Sequence, residues 1–209
     1  MHLTLDQFLS RFMLHLPTAP SAAAQGDRHA AVLVPVINAA QPELLLTRRA
    51  AQLRKHAGQV AFPGGMQDAS DASLIHTALR EAQEEVGIAP EQVRVVGTLP
   101  PVTSSIGFAV TPVVGIVAPD ARLKLNPDEV ESAFTMPLAE ALRLSRYSGF
   151  TLQRGNRRHQ LWLSWYGDYF IWGMTAGIIR ELGQQIALTD VAHLPSSAHQ
   201  RCVFSLHNA

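Results

Sequence analysis

The chain has 209 residues, 17 basic and 17 acidic, a formal net charge of zero and 47% hydrophobic residues. That is one domain's worth of chain with enough apolar material for a core, which excludes a disordered protein. The missing basic excess argues against binding nucleic acid through its phosphates. A single cysteine, Cys202, excludes an internal disulfide and a multi-thiolate zinc site, and fits a reducing compartment.

In chain order, Leu5, Phe8, Leu9, Phe12, Met13 and Leu16 recur at helical spacing and predict a helix over Thr4–Leu16, capped by Thr4 or Asp6. Its other face is not basic, so it reads as a helix laid on the core and not as a membrane anchor. Asp6 and Arg11 break its apolar run, so no signal peptide is expected. The longest apolar stretches, AAVLVPVINAA and VTPVVGIVAP, fall well short of the roughly 20 residues a membrane helix needs. A soluble, cytoplasmic protein follows as the expectation.

The Pro- and Ala-rich PTAPSAAAQGDRHA reads as a tether. Ala31–Asn38 and Leu44–Arg48 predict a strand hairpin across AAQPE. VAFPGG reads as a strand ending in a turn that glycine makes easily, and its glycine pair would let main chain approach a ligand closely, with an ordinary tight turn as the alternative. Good helix formers from Leu74 to Val86 predict a helix stopped at Gly87. Strands are expected at Val93–Leu99, Phe108–Val117, Phe150–Arg154 and His159–Tyr166, with a short one at Asp168–Trp172. Pro137–Leu144 predicts a short helix opened by proline, and Thr175–Leu188 an amphipathic one. Interleaved hairpins and helices imply a mixed sheet with helices on both faces.

The informative octet is REAQEEVG, Arg80 to Gly87. On a helix Glu81 and Glu85 lie one turn apart, Glu84 flanks them, and Arg80 stands four residues before Glu84. Carboxylates crowded into one turn repel unless a cation sits among them, and hard oxygen ligands suit Mg²⁺ or Mn²⁺. Such a cation can activate a water for attack on phosphorus. A solvated acidic helix face is the plain alternative. Leu79, Ala82 and Val86, recurring among the acids, weigh against it by implying burial.

The run from Gly65 to Ile88 resembles the Nudix box of the Nudix hydrolases. Its second half is matched from Arg80 to Ile88, with Ala82 standing in for an aliphatic residue. Its first half departs from the pattern, with Asp71 in place of the first glutamate and eight residues instead of seven before Arg80. The extra residue belongs in the loop before the helix. Upstream, LLTRRAAQLRKHAGQVAFPGG is similar to the motif of the coenzyme A pyrophosphatase subfamily, and Leu45, Leu46, Thr47, Arg49, Ala50, Arg54, Gly58, Phe62, Pro63, Gly64 and Gly65 fill its fixed places.

The resemblance implies an α/β/α Nudix fold. It also implies a metal-dependent pyrophosphohydrolase that splits coenzyme A or its acyl derivatives into 3′,5′-ADP and 4′-phosphopantetheine. Glu81 and Glu85 are expected as ligands for Mg²⁺ or Mn²⁺, Glu84 as a further ligand or the base, and Arg80 as the group orienting the carboxylates. Arg49, Arg54, Phe62, Gly64 and Gly65 are expected to bind substrate. The expected organisation is an N-terminal helix and tether over residues 1–29, a Nudix domain over 30–188 and an irregular tail over 189–209. The expected partner is CoA or an acyl-CoA, with neither nucleic acid nor membrane, and a homodimer is left open.

The basic loop supports this independently. Arg48, Arg49, Arg54 and Lys55 crowd into eight positions with no acid among them, which suits a ligand carrying several phosphates. A merely solvated loop is the alternative. His56 lies in the loop, but the histidines lack paired zinc spacing. Glu129 or Glu131 could supply a further acid, or both belong to a polar lead-in to the next helix. The aromatic group of Trp162, Trp165, Tyr166, Tyr169, Phe170 and Trp172 reads as core, with one ring available to stack on adenine. Two rivals stand: a Nudix enzyme acting on nucleoside triphosphates or ADP-ribose, and a non-catalytic nucleotide-sensing module.

Overall fold

A computed structural model describes residues 3–14, 28–53, 56–104, 107–154, 157–186 and 203–205. The elements are α1 (Leu5–Leu14), β1 (His29–Ile37), β2 (Glu43–Arg49), β3 (Val60–Ala61), β4 (Gly64–Met66), α2 (Leu74–Val86), β5 (Val93–Thr98), β6 (Val102–Thr103), β7 (Ala109–Val117), β8 (Val130–Pro137), α3 (Leu138–Ala141), β9 (Ser148–Arg154), β10 (Arg157–Tyr166), β11 (Tyr169–Trp172), α4 (Gly173–Ile186) and β12 (Val203–Ser205).

The main sheet runs β3-β2-β1-β7-β5, with β4 on β1, β6 on β7 and β8 on β2. β1 and β7 pair parallel from His29↔Ala109 to Ile37↔Val117, while β2, β4 and β5 join antiparallel, so the sheet is mixed. β1 is buried along both faces because alternate residues feed two cores. Ala31 and Leu33 pack with Ala78, Ala82 and Val86 of α2. Val32, Val34 and Val36 pack with Phe8 and Phe12 of α1 and with Ile178, Ile179 and Leu182 of α4. Helices therefore cover both faces, in the α/β/α arrangement expected.

Three differences from the sequence reading have local causes. NPDEVESAF, read as a lead-in to a helix, is largely β8, held by antiparallel pairing to β2 from Glu43↔Pro137 to Arg49↔Val130. The helix over Pro137–Leu144 shrinks to one turn, and a tight turn over Leu144–Arg146 follows it. β9, β10 and β11 form a second sheet with β12 at its edge, so one short strand of the tail is regular. Thr4 is the cap of α1, its hydroxyl accepting from Gln7 N at 3.2 Å. Among the described residues no helix is long and apolar enough to cross a membrane.

Candidate active site

α2 starts at Ser73, in extended backbone (φ −163°, ψ 166°), whose hydroxyl accepts from His76 N at 3.1 Å. It stops at Gly87, whose φ of 75° is a left-handed conformation that suits glycine. With Ala78, Ala82 and Val86 buried against β1 and β7, the helix turns Glu85 and Glu81 toward the β3–β4 segment. Side-chain exposure falls outward to inward, from 53% at Glu84 to 15% at Glu81 and 5% at Glu85. Glu85 Oε2 accepts from Gly64 N at 3.3 Å, and Arg49 Nη1 stands 3.6 Å from its Oε1.

Arg80 spans the surface of this site. Its Nη1 donates to Glu81 Oε1 and to Glu84 Oε2, both at 2.9 Å. Its Nε and Nη2 donate to the two oxygens of Asp71, at 3.0 and 2.9 Å, and Nη2 also reaches Met66 O. The Asp71 side chain is wholly buried and accepts in addition from Thr77 Oγ1 and Asp68 N, each at 2.9 Å. Arg80 holds the Asp71 carboxyl well below the usual carboxylate range. The residue where the box departs from its pattern is thus the anchor of the arginine that grips two of the glutamates. Thr77 was missed in the sequence; a hydroxyl in the first helical turn carries no special pattern.

The Asp128–Glu131 stretch divides. Glu131 turns to Arg48 at 3.5 Å, both half-exposed. Glu129 is held by Asn126 Nδ2 at 3.2 Å, while Asn126 N donates to Glu85 O at 2.9 Å and Ala50 N to Glu129 O at 2.9 Å. This loop therefore clasps the end of α2 and the end of β2 together, and the Glu129 charge acts on both Glu81 and Glu85.

The glycine pair does not make the turn expected, and the close approach it permits is to other parts of the chain. Neither Gly64 nor Gly65 has a left-handed φ; both lie in β4, paired to Val32 and Ala31. What requires glycine is close approach. A Cβ on Gly64 would collide with the backbone of Ala31 and Val32, and one on Gly65 would lie 2.5 Å from the carboxylate carbon of Glu81. Phe62 is buried in the core, 4% exposed, and so packs under the site instead of lining it. Arg54 and Lys55 lie outside the described residues. His56, at φ 58°, pairs its Nδ1 with Gln59 Oε1 at 3.0 Å.

Burial, joined by Glu129 and Glu81, pushes Glu85 up to about 8 against the pull of Arg49 and Gly64 N–H. Burial also raises Glu81, opposed by Arg80. A site whose carboxylates resist ionisation together is short of positive charge, which a divalent cation supplies. Among the described residues no three acidic, His or Cys side chains form a ready cage. Glu81 and Glu84 are drawn to Arg80, and Glu85 to Arg49. Arg49 Nε is buried without a hydrogen-bond partner among the described residues. A donor left in that state suits an incoming anion.

The NUDIX domain model matches residues 27–155. The uncharacterized Nudix hydrolase NudL of Cronobacter sakazakii is 62% identical over 184 residues, covering 88% of this chain and 95% of its own length. The NudL of Citrobacter koseri is 61% identical over 186 residues, covering 89% and 96%. Among solved structures, a MutT/nudix family protein from Enterococcus faecalis aligns with a TM-score of 0.48 at 17% identity, covering 86% of this chain and 68% of that one. A C. elegans Ap4A hydrolase aligns at 0.46 and 22% identity, covering 55% and 83%. The chain belongs to the Nudix hydrolases, pyrophosphohydrolases that act on small molecules and generally use divalent cations.

Proposed function

We propose that this Nudix hydrolase cleaves the diphosphate of coenzyme A or an acyl-CoA, giving 3′,5′-ADP and 4′-phosphopantetheine or its acylated form. The observation that carries the reading is the meeting of the two sequence motifs: Arg49, from the segment that resembles the CoA pyrophosphatases, faces Glu85, from the helix segment, at 3.6 Å. The residues proposed to recognise substrate phosphate and to hold the cation thus share one site.

Glu81 and Glu85 would hold Mg²⁺ or Mn²⁺. A third carboxylate would come from Glu84 or Glu129; Glu129 is the less exposed of the two, while Glu84 lies half in solvent and is engaged by Arg80. A divalent cation bound there supplies charge to the diphosphate and acidifies a water. Arg80, anchored on Asp71, fixes the rotamers of Glu81 and Glu84. Arg49, whose Nε has no hydrogen-bond partner among the described residues, would offer its Nε and Nη donors to a phosphate as a planar fork. If Glu84 completes the ligand set instead, Glu129, whose charge acts on both Glu81 and Glu85, would be the acceptor for the proton of the attacking water.

Incubation with CoA and Mg²⁺ or Mn²⁺, followed by chromatography, tests the reading. Equimolar 3′,5′-ADP and 4′-phosphopantetheine support it. No CoA turnover beside rapid hydrolysis of ADP-ribose or a nucleoside triphosphate would replace CoA as the substrate.

A further inference from the structure

The last turn of α2 is closed by the segment that leads into β8. Two of the carbonyls left without helical partners there accept from it: Lys124 N donates to Val86 O and Asn126 N to Glu85 O, both at 2.9 Å. A Cβ on Gly87 would lie 2.9 Å from Lys124 N, so the segment lies close against the helix end. The residue whose backbone grips Glu85 then turns the chain back. Asn126 O accepts from Glu129 N at 3.1 Å and from Val130 N at 2.8 Å, and its Oδ1 accepts from Asp128 N at 3.1 Å. From the other side Ala50 N donates to Glu129 O and Gln52 Nε2 to Pro127 O, each at 2.9 Å. Those bonds fasten the turn to the chain just beyond Arg49.

Asn126 does one thing more than a turn requires. The turn is made by the side-chain oxygen alone, and serine or aspartate makes it as well. Here the amide nitrogen is used too: Nδ2 donates to Glu129 Oε2 at 3.2 Å. Glu129 is half-buried and near enough for its charge to act on both Glu81 and Glu85. A glutamate free to turn at that place would spread over several rotamers, and the hydrogen bond selects among them. It engages one carboxylate oxygen and leaves the second for a cation or a water. Asparagine suits both duties, because its oxygen accepts from a backbone N–H while its nitrogen donates to a carboxylate.

We infer that Asn126 is a positioning residue of the hydrolysis: bonded to the Glu85 carbonyl and to the Glu129 carboxylate, it fixes Glu129 relative to the last turn of α2. The inference rests on the reading that Glu129 serves the site, as third ligand or as proton acceptor. It adds the device that keeps the two glutamates in register. Because one residue holds both, Glu129 follows the helix end instead of drifting with the loop.

The test is a double-mutant cycle between Asn126→Ser and Glu129→Gln, with circular dichroism checking the fold. Serine keeps a hydroxyl for Asp128 N but cannot reach Glu129, so the thermal midpoint should fall by only about 2–4 °C. With CoA and Mn²⁺, Asn126→Ser should lower kcat about 10–100-fold and change KM by less than about threefold. Glu129→Gln should cost at least as much. On top of Glu129→Gln, Asn126→Ser should cost less than about threefold, because the group it aims is already gone. Asn126→Asp, which keeps the size and the turn but repels Glu129, should lose at least as much as the serine variant.

Unchanged kcat in Asn126→Ser, or losses that multiply in the double variant, overturns the inference and leaves Asn126 a turn residue. Unchanged kcat in Glu129→Gln overturns it too, by removing Glu129 from the reaction while Arg49 and Glu85 stand. If wild type does not cleave CoA, that substrate falls, and the cycle is run on the diphosphate that it does hydrolyse. Calorimetric titration with Mn²⁺ reads the cycle without turnover. Asn126→Ser and Glu129→Gln should agree there, both weakening Mn²⁺ if Glu129 is a ligand and both sparing it if Glu129 takes the proton. Weakening by Asn126→Ser alone overturns the inference. If wild type hydrolyses no diphosphate, the titration decides by itself: equal weakening supports the inference, and any other result sinks it.

Discussion

Arg49 Nη1 stands 3.6 Å from the buried carboxylate of Glu85, at the junction of β2 and α2. The guanidinium offsets the burial of this carboxylate, with Gly64 N–H as a smaller counterweight. A cation held by Glu85, as proposed, would act on the same carboxylate as Arg49, so binding one would alter the demand for the other.

Glu85→Gln removes that carboxylate's charge with little change of volume. Turnover should fall by more than the roughly 10–100-fold that changes beside a metal site cost. Mn²⁺ affinity, read by calorimetry, should weaken in parallel. Glu81→Gln should behave alike. Near wild-type turnover with unchanged metal affinity would remove Glu85 from the site.

The raised Glu85 has a signature in metal-free protein. Between its ordinary 4.5 and about 8 the folded state holds a proton that the unfolded state has released. Stability must then fall as pH rises through that window, by at most about 1.4 kcal/mol per pH unit. With a chelator present, the thermal midpoint should drop from pH 5 to pH 8, about 2–4 °C for each kcal/mol. In Glu85→Gln this component should vanish, leaving the variant more stable than wild type at pH 8. A wild-type midpoint that rises across the window would show Glu85 ionised throughout.

Gly64 and Gly65 separate stability from activity. Gly64→Ala drives a methyl into the backbone of β1, which cannot yield, and should cost about 1–3 kcal/mol as overpacking. Gly65→Ala meets first the end of the Glu81 side chain, which can move. It should lower turnover at least tenfold while shifting the thermal midpoint much less than Gly64→Ala. Equal midpoint losses in the two variants would deny Gly65 its special relation to Glu81.

Why these glycines were misread shows where the sequence stopped being legible. A paired glycine after Phe62-Pro63 signals unusual backbone, but not whether the demand is a left-handed φ or a close neighbour. The neighbour, Glu81, is distant in sequence and meets Gly65 only through the fold. Helix α2 was legible to the residue, because its run of helix formers, Gly87 and the Leu79–Ala82–Val86 spacing are local signals, although the structure buries Ala78 more fully than Leu79 and adds the Ser73 cap. β8 was not, because it gains its partners from β2 and its sequence, VESAFTMP, alternates poorly. The carboxylates were legible as a group. Which of Glu129 and Glu131 turns inward depends on Asn126 and Arg48, whose contacts no spacing rule encodes. Trp165, Phe170 and Trp172, read as core, face outward because strand alternation sends Tyr169 and Ile171 inward instead.

Asp71 tests the anchoring of Arg80. Asp71→Asn keeps the size but gives up the paired charge that receives Nε and Nη2. Arg80 should then hold Glu81 and Glu84 less firmly, with kcat reduced about 10–100-fold. Asp71→Glu should restore part of the loss, as the larger acid can still reach the guanidinium. A variant with reduced stability but unchanged kcat would make Asp71 a folding residue only.

The two loop arginines should separate by substrate. Arg49 lies at Glu85, so its proposed partner is the diphosphate, which CoA and dephospho-CoA share. Arg49→Ala should therefore raise KM for both substrates and shift the concentration of Mn²⁺ needed for half-maximal rate. Arg54, the other arginine of the motif, is then the candidate for the 3′-phosphate, which dephospho-CoA lacks. A charge-assisted hydrogen bond contributes about 1.5–3 kcal/mol, so Arg54→Ala should raise KM for CoA roughly 10- to 150-fold. Its effect on kcat should be smaller, as when ground and transition states lose the same contact. With dephospho-CoA the Arg54 variant should match wild type within a factor of two. Equal losses on both substrates would take the 3′-phosphate away from Arg54, and no loss on either would make the loop a solvated surface. The chemistry assigned to α2 would survive either result, because it rests on Glu81, Glu85 and their partners.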